Sequence, residues 1–123
     1  RIAVASDHAG FIQKAPIIEH IRSLGHEVVD LGPATDDRVD YPDFGDKVGR
    51  MVARGDADRG VVICGTGLGI AMTADKVPGV RAQRIGLSPA LAMRAERSRL
   101  DVLLQRLHDA QLGHGLVKLK QSA

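Results

Sequence analysis

The chain has 123 residues, of which 44% are hydrophobic and 26% charged, with a formal net charge of +2. This is the balance of one soluble globular domain. Only 2% of the residues are aromatic, so few side chains are available to stack on bases, and we expect no nucleic-acid partner. The charge is uneven: residues 1–80 carry 9 basic and 12 acidic side chains, whereas residues 81–123 carry 8 and 3.

Cysteine content and hydropathy favour the cytoplasm. The single cysteine, Cys64, cannot form an internal disulfide, which is typical of a reducing compartment. No stretch approaches the length of a membrane span, and the first residues lack the layout of a signal peptide. We therefore expect a cytoplasmic protein with no membrane partner, and an initiator Met removed or left out before Arg1.

Short apolar runs that end in polar residues predict the strands. They cover residues 2–5, 27–31 and 60–63, and a further strand is predicted to open at Val80. Runs rich in β-branched side chains are typical of strands buried on both faces of a parallel sheet.

Apolar residues at helical spacing lie between these strands. The set expected to face the core in the first helix is Ile12, Ala15, Ile18, Ile21 and Leu24. Gly25 is predicted to end this helix, and Pro16 either starts or kinks it.

A second helix is predicted over residues 43–54, after Pro42. Its expected inward set is Phe44, Val48, Met51 and Val52. A short third helix is predicted over residues 70–74.

Strands that alternate with helices predict one α/β domain over residues 1–123. We expect a doubly wound, three-layer αβα fold with a central parallel sheet of about five strands and right-handed crossovers. Residues 91–107 favour a helix, although residues 102–104 are also compatible with the fifth strand.

Two polar runs follow predicted strands and carry the candidate chemistry. Residues 6–10 (Ser-Asp-His-Ala-Gly) follow the first strand, and residues 64–69 (Cys-Gly-Thr-Gly-Leu-Gly) follow the third. Ligands of open parallel sheets bind outside the carboxyl ends of the strands, so we expect Asp7, His8 and Cys64 to converge on one crevice.

The glycine-rich run predicts an anion site, because such a loop leaves backbone N–H groups beside the positive end of the next helix. Gly65, Gly67 and Gly69 allow a ligand to approach closely, and Thr66 adds a hydroxyl. Cys64 would stand near the start of that helix, where a thiol loses its proton more readily than in free solution.

Each of these residues also has a structural interpretation. Taken alone, Cys64 is a small buried hydrophobe, Asp7 an N-cap, His8 a surface histidine and the glycine run a tight turn. Their coincidence at strand ends that are expected to be neighbours favours the functional interpretation.

Spacing excludes several other chemistries. A Cys-x5-Arg phosphatase loop would need arginine where Ile70 stands, and a dinucleotide fingerprint would need glycine there. No Walker A run occurs. The remaining histidines, His20, His26, His108 and His114, show no metal-ligand spacing, so we expect them to be structural.

Six motifs occur in order: Ser-Asp-His-Ala-Gly-Phe at 6–11, Gly-His-Glu-Val with Asp-Leu-Gly at 25–32, Asp-Tyr-Pro-Asp-Phe at 40–44, Gly-Asp-Ala-Asp-Arg-Gly at 55–60, Cys-Gly-Thr-Gly-Leu-Gly at 64–69 and Lys-Val-Pro-Gly-Val-Arg-Ala at 76–82. Together they resemble the type B ribose-5-phosphate isomerases of the ribose/galactose isomerase family. The resemblance covers residues 1–82.

This resemblance implies a Rossmann-like enzyme of carbohydrate metabolism that interconverts ribose 5-phosphate and ribulose 5-phosphate in the pentose phosphate pathway. It implies no metal or cofactor, and a homodimer or a tetramer with active sites at the subunit interface.

The same resemblance implies roles for the residues of the two runs. Cys64 would be the base that moves a proton between C2 and C1. Asp7 would bind and open the sugar ring, Tyr41 would line the pocket, and His8 would approach the phosphate. The groups that would stabilise the enediolate are Thr66 and the amides of Gly65, Gly67 and Gly69.

After Ala82 the chain departs from the family pattern. The positions of the family's ring-opening His and its Asn hold Arg97 and Ser98, and the family's arginine-bearing tail does not follow. Two explanations are open. The chain is a divergent family member, in which Arg97 and Ser98 contact the substrate and either Arg97 or Arg84 binds the phosphate. Alternatively, the sequence after Ala82 is in another reading frame. A noncatalytic sugar-phosphate-binding or scaffold protein, and an isomerase of galactose 6-phosphate or allose 6-phosphate, are the alternatives.

Overall fold

A computed structural model of the chain describes residues 1–85 and 116–121, which form one sheet with helices on both faces. The elements in chain order are β1 (Ile2–Ser6), α1 (Phe11–Ser23), β2 (Val28–Asp30), α2 (Tyr41–Ala53), β3 (Arg59–Ile63), α3 (Leu68–Asp75), β4 (Val80–Arg84) and β5 (Leu116–Gln121). The predicted α/β alternation is confirmed over this part of the chain. The predicted helix at 91–107 and the possible strand at 102–104 lie outside the described residues.

The five strands lie in the order β2-β1-β3-β5-β4. β1 pairs in parallel with β2 and β3, whereas β5 lies antiparallel between β3 and β4. Four strands therefore run in one direction, and the expectation of an all-parallel sheet fails only at β5. The reason is visible in its pattern: Val117 and Leu119 are buried while Lys120 is exposed, an alternation typical of antiparallel strands.

The two faces of the sheet carry separate apolar clusters, which confirms the predicted three-layer, Rossmann-like arrangement. On one face α1 packs on β1 and β3; the buried residues are Ile2, Val4, Ile17, Ile18, Ile21, Val61, Ile63 and Ile85. On the other face α2 and α3 cover Ala3, Ala5, Val62 and Cys64 among others.

The buried face of α1 agrees with the prediction at Ile18 and Ile21 and differs from it at the other three positions. Ile12 is 81% exposed, and Ala15 and Leu24 are exposed as well, whereas Ile17 and Lys14 are buried. The position of Lys14 explains the difference. Its ammonium group lies 2.9 Å from an Asp30 carboxylate oxygen and also donates to a backbone carbonyl, so this side chain faces inward without an unpaired charge.

Two glycines let α2 lie close to α3. A Cβ on Gly49 would be 2.9 Å from the Val77 Cγ2 atom, and one on Gly45 would be 3.0 Å from the carbonyl oxygen of Ile70. The predicted inward residues Phe44, Val48 and Val52 are buried, and Met51 is partly buried at the margin. This close packing fixes α3, and with it the loop that leads into α3. No helix in the described ranges is both long and apolar enough to cross a bilayer.

The fold predicts that β5 contributes strongly to stability. Leu119→Ala removes a fully buried side chain between β3 and β4, and we expect it to lower the free energy of unfolding by about 2–5 kcal/mol. Lys120→Ala on the same strand is the matched control and should change stability by less than about 0.5 kcal/mol. Urea unfolding followed by circular dichroism measures both. Equal effects of the two substitutions would contradict the placement of β5.

Candidate active site

Parallel pairing brings the ends of β1 and β3 to the same edge of the sheet. Ser6 pairs with Ile63, and the Asp7 N–H donates to the Ile63 carbonyl oxygen at 3.0 Å. A Cβ on Gly10 would lie 2.6 Å from that same oxygen, so the loop after β1 rests directly on the end of β3. The two polar runs of the sequence are therefore neighbours, as predicted.

Asp7 is buried beneath this edge, with 6% of its surface exposed. Its Oδ1 accepts a hydrogen bond of 2.8 Å from the Gly10 N–H. This contact closes the turn that leads into α1. The N-cap of α1 is Gly10, without a side-chain cap hydrogen bond, so the structural interpretation of Asp7 as an N-cap is wrong. A carboxylate held in this way has a fixed orientation at the end of β1.

Cys64 follows β3 and is also only 6% exposed. Its sulfur accepts a hydrogen bond of 3.0 Å from the N–H of Gly67, which has the left-handed φ of +77° that favours glycine. The Thr66 hydroxyl oxygen accepts a hydrogen bond of 3.2 Å from the Leu68 N–H. The glycine loop thus directs one of its amides at the Cys64 sulfur.

Tyr41, the first residue of α2, packs against the start of α3. A Cβ on Gly69 would lie 2.6 Å from the Cζ atom of the tyrosine ring and 2.9 Å from its hydroxyl oxygen. The ring therefore covers Gly69, and it is 41% exposed. The glycine at this position is required by the close approach of the ring.

His8 connects the loop after β1 to the segment before α2. Its Nδ1 lies 3.2 Å from the carbonyl oxygen of Val39 and 3.3 Å from the Val39 nitrogen. The imidazole is exposed and lines a cavity of about 390 Å³ together with Arg38, Val39, Asp40, Tyr41, Pro42 and Asp43. His8 and Tyr41 thus share one opening at this edge.

The predicted site residues differ in how deeply they are buried. His8 and Tyr41 reach the cavity, whereas Asp7 and Cys64 lie below the surface and do not line it. Asp7, His8 and Cys64 therefore lie at the same edge of the sheet, as expected. They do not all open into the same cavity, because Asp7 and Cys64 are buried. Arg97 and Ser98 fall outside the described residues. Within 1–85 and 116–121, no group of three or more His, Cys, Asp or Glu side chains is arranged to hold a metal ion.

Two basic residues shape the site, and sequence reasoning missed one of them. Lys14 holds the Asp30 carboxylate and the Pro33 carbonyl oxygen, which anchors the segment between β2 and α2 that carries Val39. A lysine within an apolar helix face, facing an aspartate at a strand end, is the signal that would have found it. Arg84, considered only as a partner for phosphate, donates from Nε to the carbonyl oxygen of Thr66.

Comparison with known protein families agrees with this arrangement. The Ribose/Galactose Isomerase family model matches residues 2–109. The chain belongs to the ribose/galactose isomerase family. The family match continues past residue 82, where the resemblance of the motifs ended.

Three family members illustrate the similarity, and each matches about two thirds of the chain. Ribose-5-phosphate isomerase B of Escherichia coli is 45% identical over 82 residues, which are 67% of this chain and 55% of that protein. The galactose-6-phosphate isomerase subunit LacB of Clostridium acetobutylicum is 44% identical over 81 residues, or 66% of this chain and 47% of that protein. The solved structure of ribose-5-phosphate isomerase B from Clostridium thermocellum has a TM-score of 0.64 and 51% identity, over 65% of this chain and 54% of that one. The chain spans about half the length of these family members.

The contact between Tyr41 and Gly69 can be tested without a substrate. Tyr41 is the single tyrosine and the chain has no tryptophan, so its fluorescence reports on this contact alone. Gly69→Ala places a methyl group where the ring stands, and we expect it to displace the ring and to increase quenching of the fluorescence by acrylamide. Gly65→Ala is the matched control, because its Cβ would be 3.7 Å from the Ala9 Cβ, an ordinary contact. Unchanged quenching in Gly69→Ala would show that the ring lies elsewhere.

Proposed function

We propose that the chain is a sugar-phosphate isomerase that interconverts ribose 5-phosphate and ribulose 5-phosphate, with Cys64 as the base. The observation that carries the proposal is the hydrogen bond from the Gly67 N–H to the Cys64 sulfur, at the strand edge where the Asp7 turn also lies. This contact holds the sulfur in a fixed position beside the glycine loop. Membership of the ribose/galactose isomerase family supports the same reaction class.

The reaction is a proton transfer through an enediolate. The thiolate of Cys64 takes the proton from C2 of the open-chain aldose, the electron pair forms the C1–C2 double bond, and the C1 carbonyl oxygen becomes an oxyanion. The carbon-bound proton returns from sulfur to C1 while the O2 hydroxyl proton passes to O1, which yields the ketose. A well-placed base of this kind contributes on the order of 10²–10⁴-fold to the rate.

The groups around the thiol suit the other steps. The Thr66 hydroxyl and the amides of Gly65 and Gly69 are assigned to the enediolate oxygens, where each preorganised donor is worth about 10²–10³-fold. Asp7, fixed by the Gly10 N–H, is assigned to ring opening of the sugar. Tyr41 and His8 line the opening and are assigned to the sugar and to its phosphate.

The burial of the reactive groups favours one second candidate. Asp7 and Cys64 do not line the described cavity, and the family's His and Asn positions hold Arg97 and Ser98. A noncatalytic protein that binds sugar phosphates would have these properties. Because one family member is named a galactose-6-phosphate isomerase subunit, a different phosphorylated sugar is the remaining alternative for the substrate. We further propose a cytoplasmic homodimer whose sites form at the subunit interface.

Isomerase activity on ribose 5-phosphate tests the proposal directly. The parent chain should convert it to ribulose 5-phosphate, and substrate deuterated at C2 should lose its label. Cys64→Ala should reduce kcat by at least about 100-fold, because it removes the group assigned to take the proton from C2, while ligand binding is retained.

The matched control is Ala9→Ser, an exposed position in the neighbouring loop where a hydroxyl adds no base. Its kcat should stay within about threefold of the parent. A Cys64→Ala chain as active as the parent would remove the thiol from the mechanism. A parent chain that binds ribose 5-phosphate without turnover would support the noncatalytic candidate.

A further inference from the structure

We propose that Arg84 binds the phosphate group of the substrate and so selects phosphorylated sugars over unphosphorylated ones. The inference rests on the proposed isomerase function and adds to it a residue of β4 that lies outside the two polar runs. It follows from where the guanidinium group is held and from which of its donors lack a partner.

Arg84 is the last residue of β4, and its Nε donates a hydrogen bond to the carbonyl oxygen of Thr66 in the glycine loop. Because the guanidinium group is planar, this one contact restricts the orientation of the whole group relative to the loop. The terminal nitrogens, Nη1 and Nη2, are then held beside the loop that carries Cys64 and Thr66. The contact joins the carboxyl end of β4 to the loop after β3.

The remaining donors of Arg84 are not used by the described protein groups. Nη1 is buried and has no hydrogen-bond partner in the structure as described. No carboxylate within residues 1–85 or 116–121 lies at ion-pair distance from Arg84. By contrast, Arg50 pairs with Asp46 at 2.7 Å. A buried guanidinium donor without an acceptor is unfavourable, and a bound anion would satisfy it.

The hydrogen bonds within the glycine loop also indicate that a charged side chain is needed to bind the phosphate. Two of its amides already have acceptors, since the Gly67 N–H donates to the Cys64 sulfur and the Leu68 N–H to the Thr66 hydroxyl. The loop therefore has fewer free N–H groups for a phosphate than the sequence pattern indicated. A guanidinium group presents its donors in a fork that matches two phosphate oxygens, and it remains charged at every relevant pH.

The test compares phosphorylated and unphosphorylated substrates with three variants. Arg84→Met keeps the length of the stem and removes the charge, Arg84→Lys keeps the charge and removes the fork, and Arg81→Met is the matched control. Arg81 is an exposed arginine on the same strand, three positions from Arg84 in sequence, and lines a cavity with Lys118 and Lys120 that Arg84 does not line. Steady-state kinetics on ribose 5-phosphate and on ribose are combined with calorimetric titration of inorganic phosphate.

For Arg84→Met we expect KM for ribose 5-phosphate to rise by about 10- to 100-fold, with kcat within about threefold of the parent. The affinity for inorganic phosphate should fall by a similar factor, and kcat/KM for ribose should not change. Arg84→Lys should show a smaller rise in KM, and Arg81→Met none. If Arg84→Met does not fold by circular dichroism, the KM and phosphate affinity of Arg84→Lys decide the question.

Several results would overturn the inference. An equal loss on ribose and on ribose 5-phosphate would mean that Arg84 only positions the loop through Thr66. A fall in kcat without a change in KM would place its charge on the enediolate instead. An equal effect of Arg81→Met would mean that Arg84 acts only through the general charge of the surface. A parent chain without isomerase activity refutes the proposed function, and phosphate titration of the parent and Arg84→Met then still decides whether Arg84 binds the anion.

Discussion

The parallel pairing of β1 with β3 is the constraint on which the rest of the site depends. It aligns Ser6 with Ile63, so that both strands end at the same height and the loops that follow them touch. The Asp7 N–H bonds to the last carbonyl of β3, and Gly10 has no side chain because none would fit against that carbonyl. A shift of one residue in this register would turn Cys64 to the opposite face of the sheet.

Around this junction the fold uses polar contacts to position loops and apolar contacts to position helices. Lys14 anchors the segment after β2, His8 holds Val39 in the same segment, and Tyr41 then enters α2 with its ring on Gly69. Each of these contacts joins two segments that are distant in sequence. The candidate site therefore depends on one connected set of contacts, in which the buried Lys14 takes part although it does not line the cavity that His8 and Tyr41 share.

Sequence patterns predicted those parts of the fold that local chemistry decides. Strands β1 and β3 are continuous apolar runs with polar ends, and both were placed within one residue of their observed bounds. The inward face of α1 was right at Ile18 and Ile21 and wrong elsewhere, because a paired lysine takes a core position, which depends on Asp30 and a carbonyl from another segment. β5 was missed although its apolar and polar residues alternate, and its position between β3 and β4 is decided by tertiary pairing, which no local pattern encodes. The motifs identified the site residues, but the depth of Cys64 is a property of tertiary packing.

Among the residues that the structure describes, the antiparallel strand β5 is the only strand paired with β4, and it also pairs with the side of β3 that faces away from β1. Loss of this one strand would leave two rows of unpaired backbone N–H and C=O groups in the middle of the sheet. Such rows accept strands from other molecules, so partial opening at this point is a route to self-association and aggregation. Strand β5 therefore completes the apolar core and also keeps the edges of β3 and β4 from pairing with other copies of the protein.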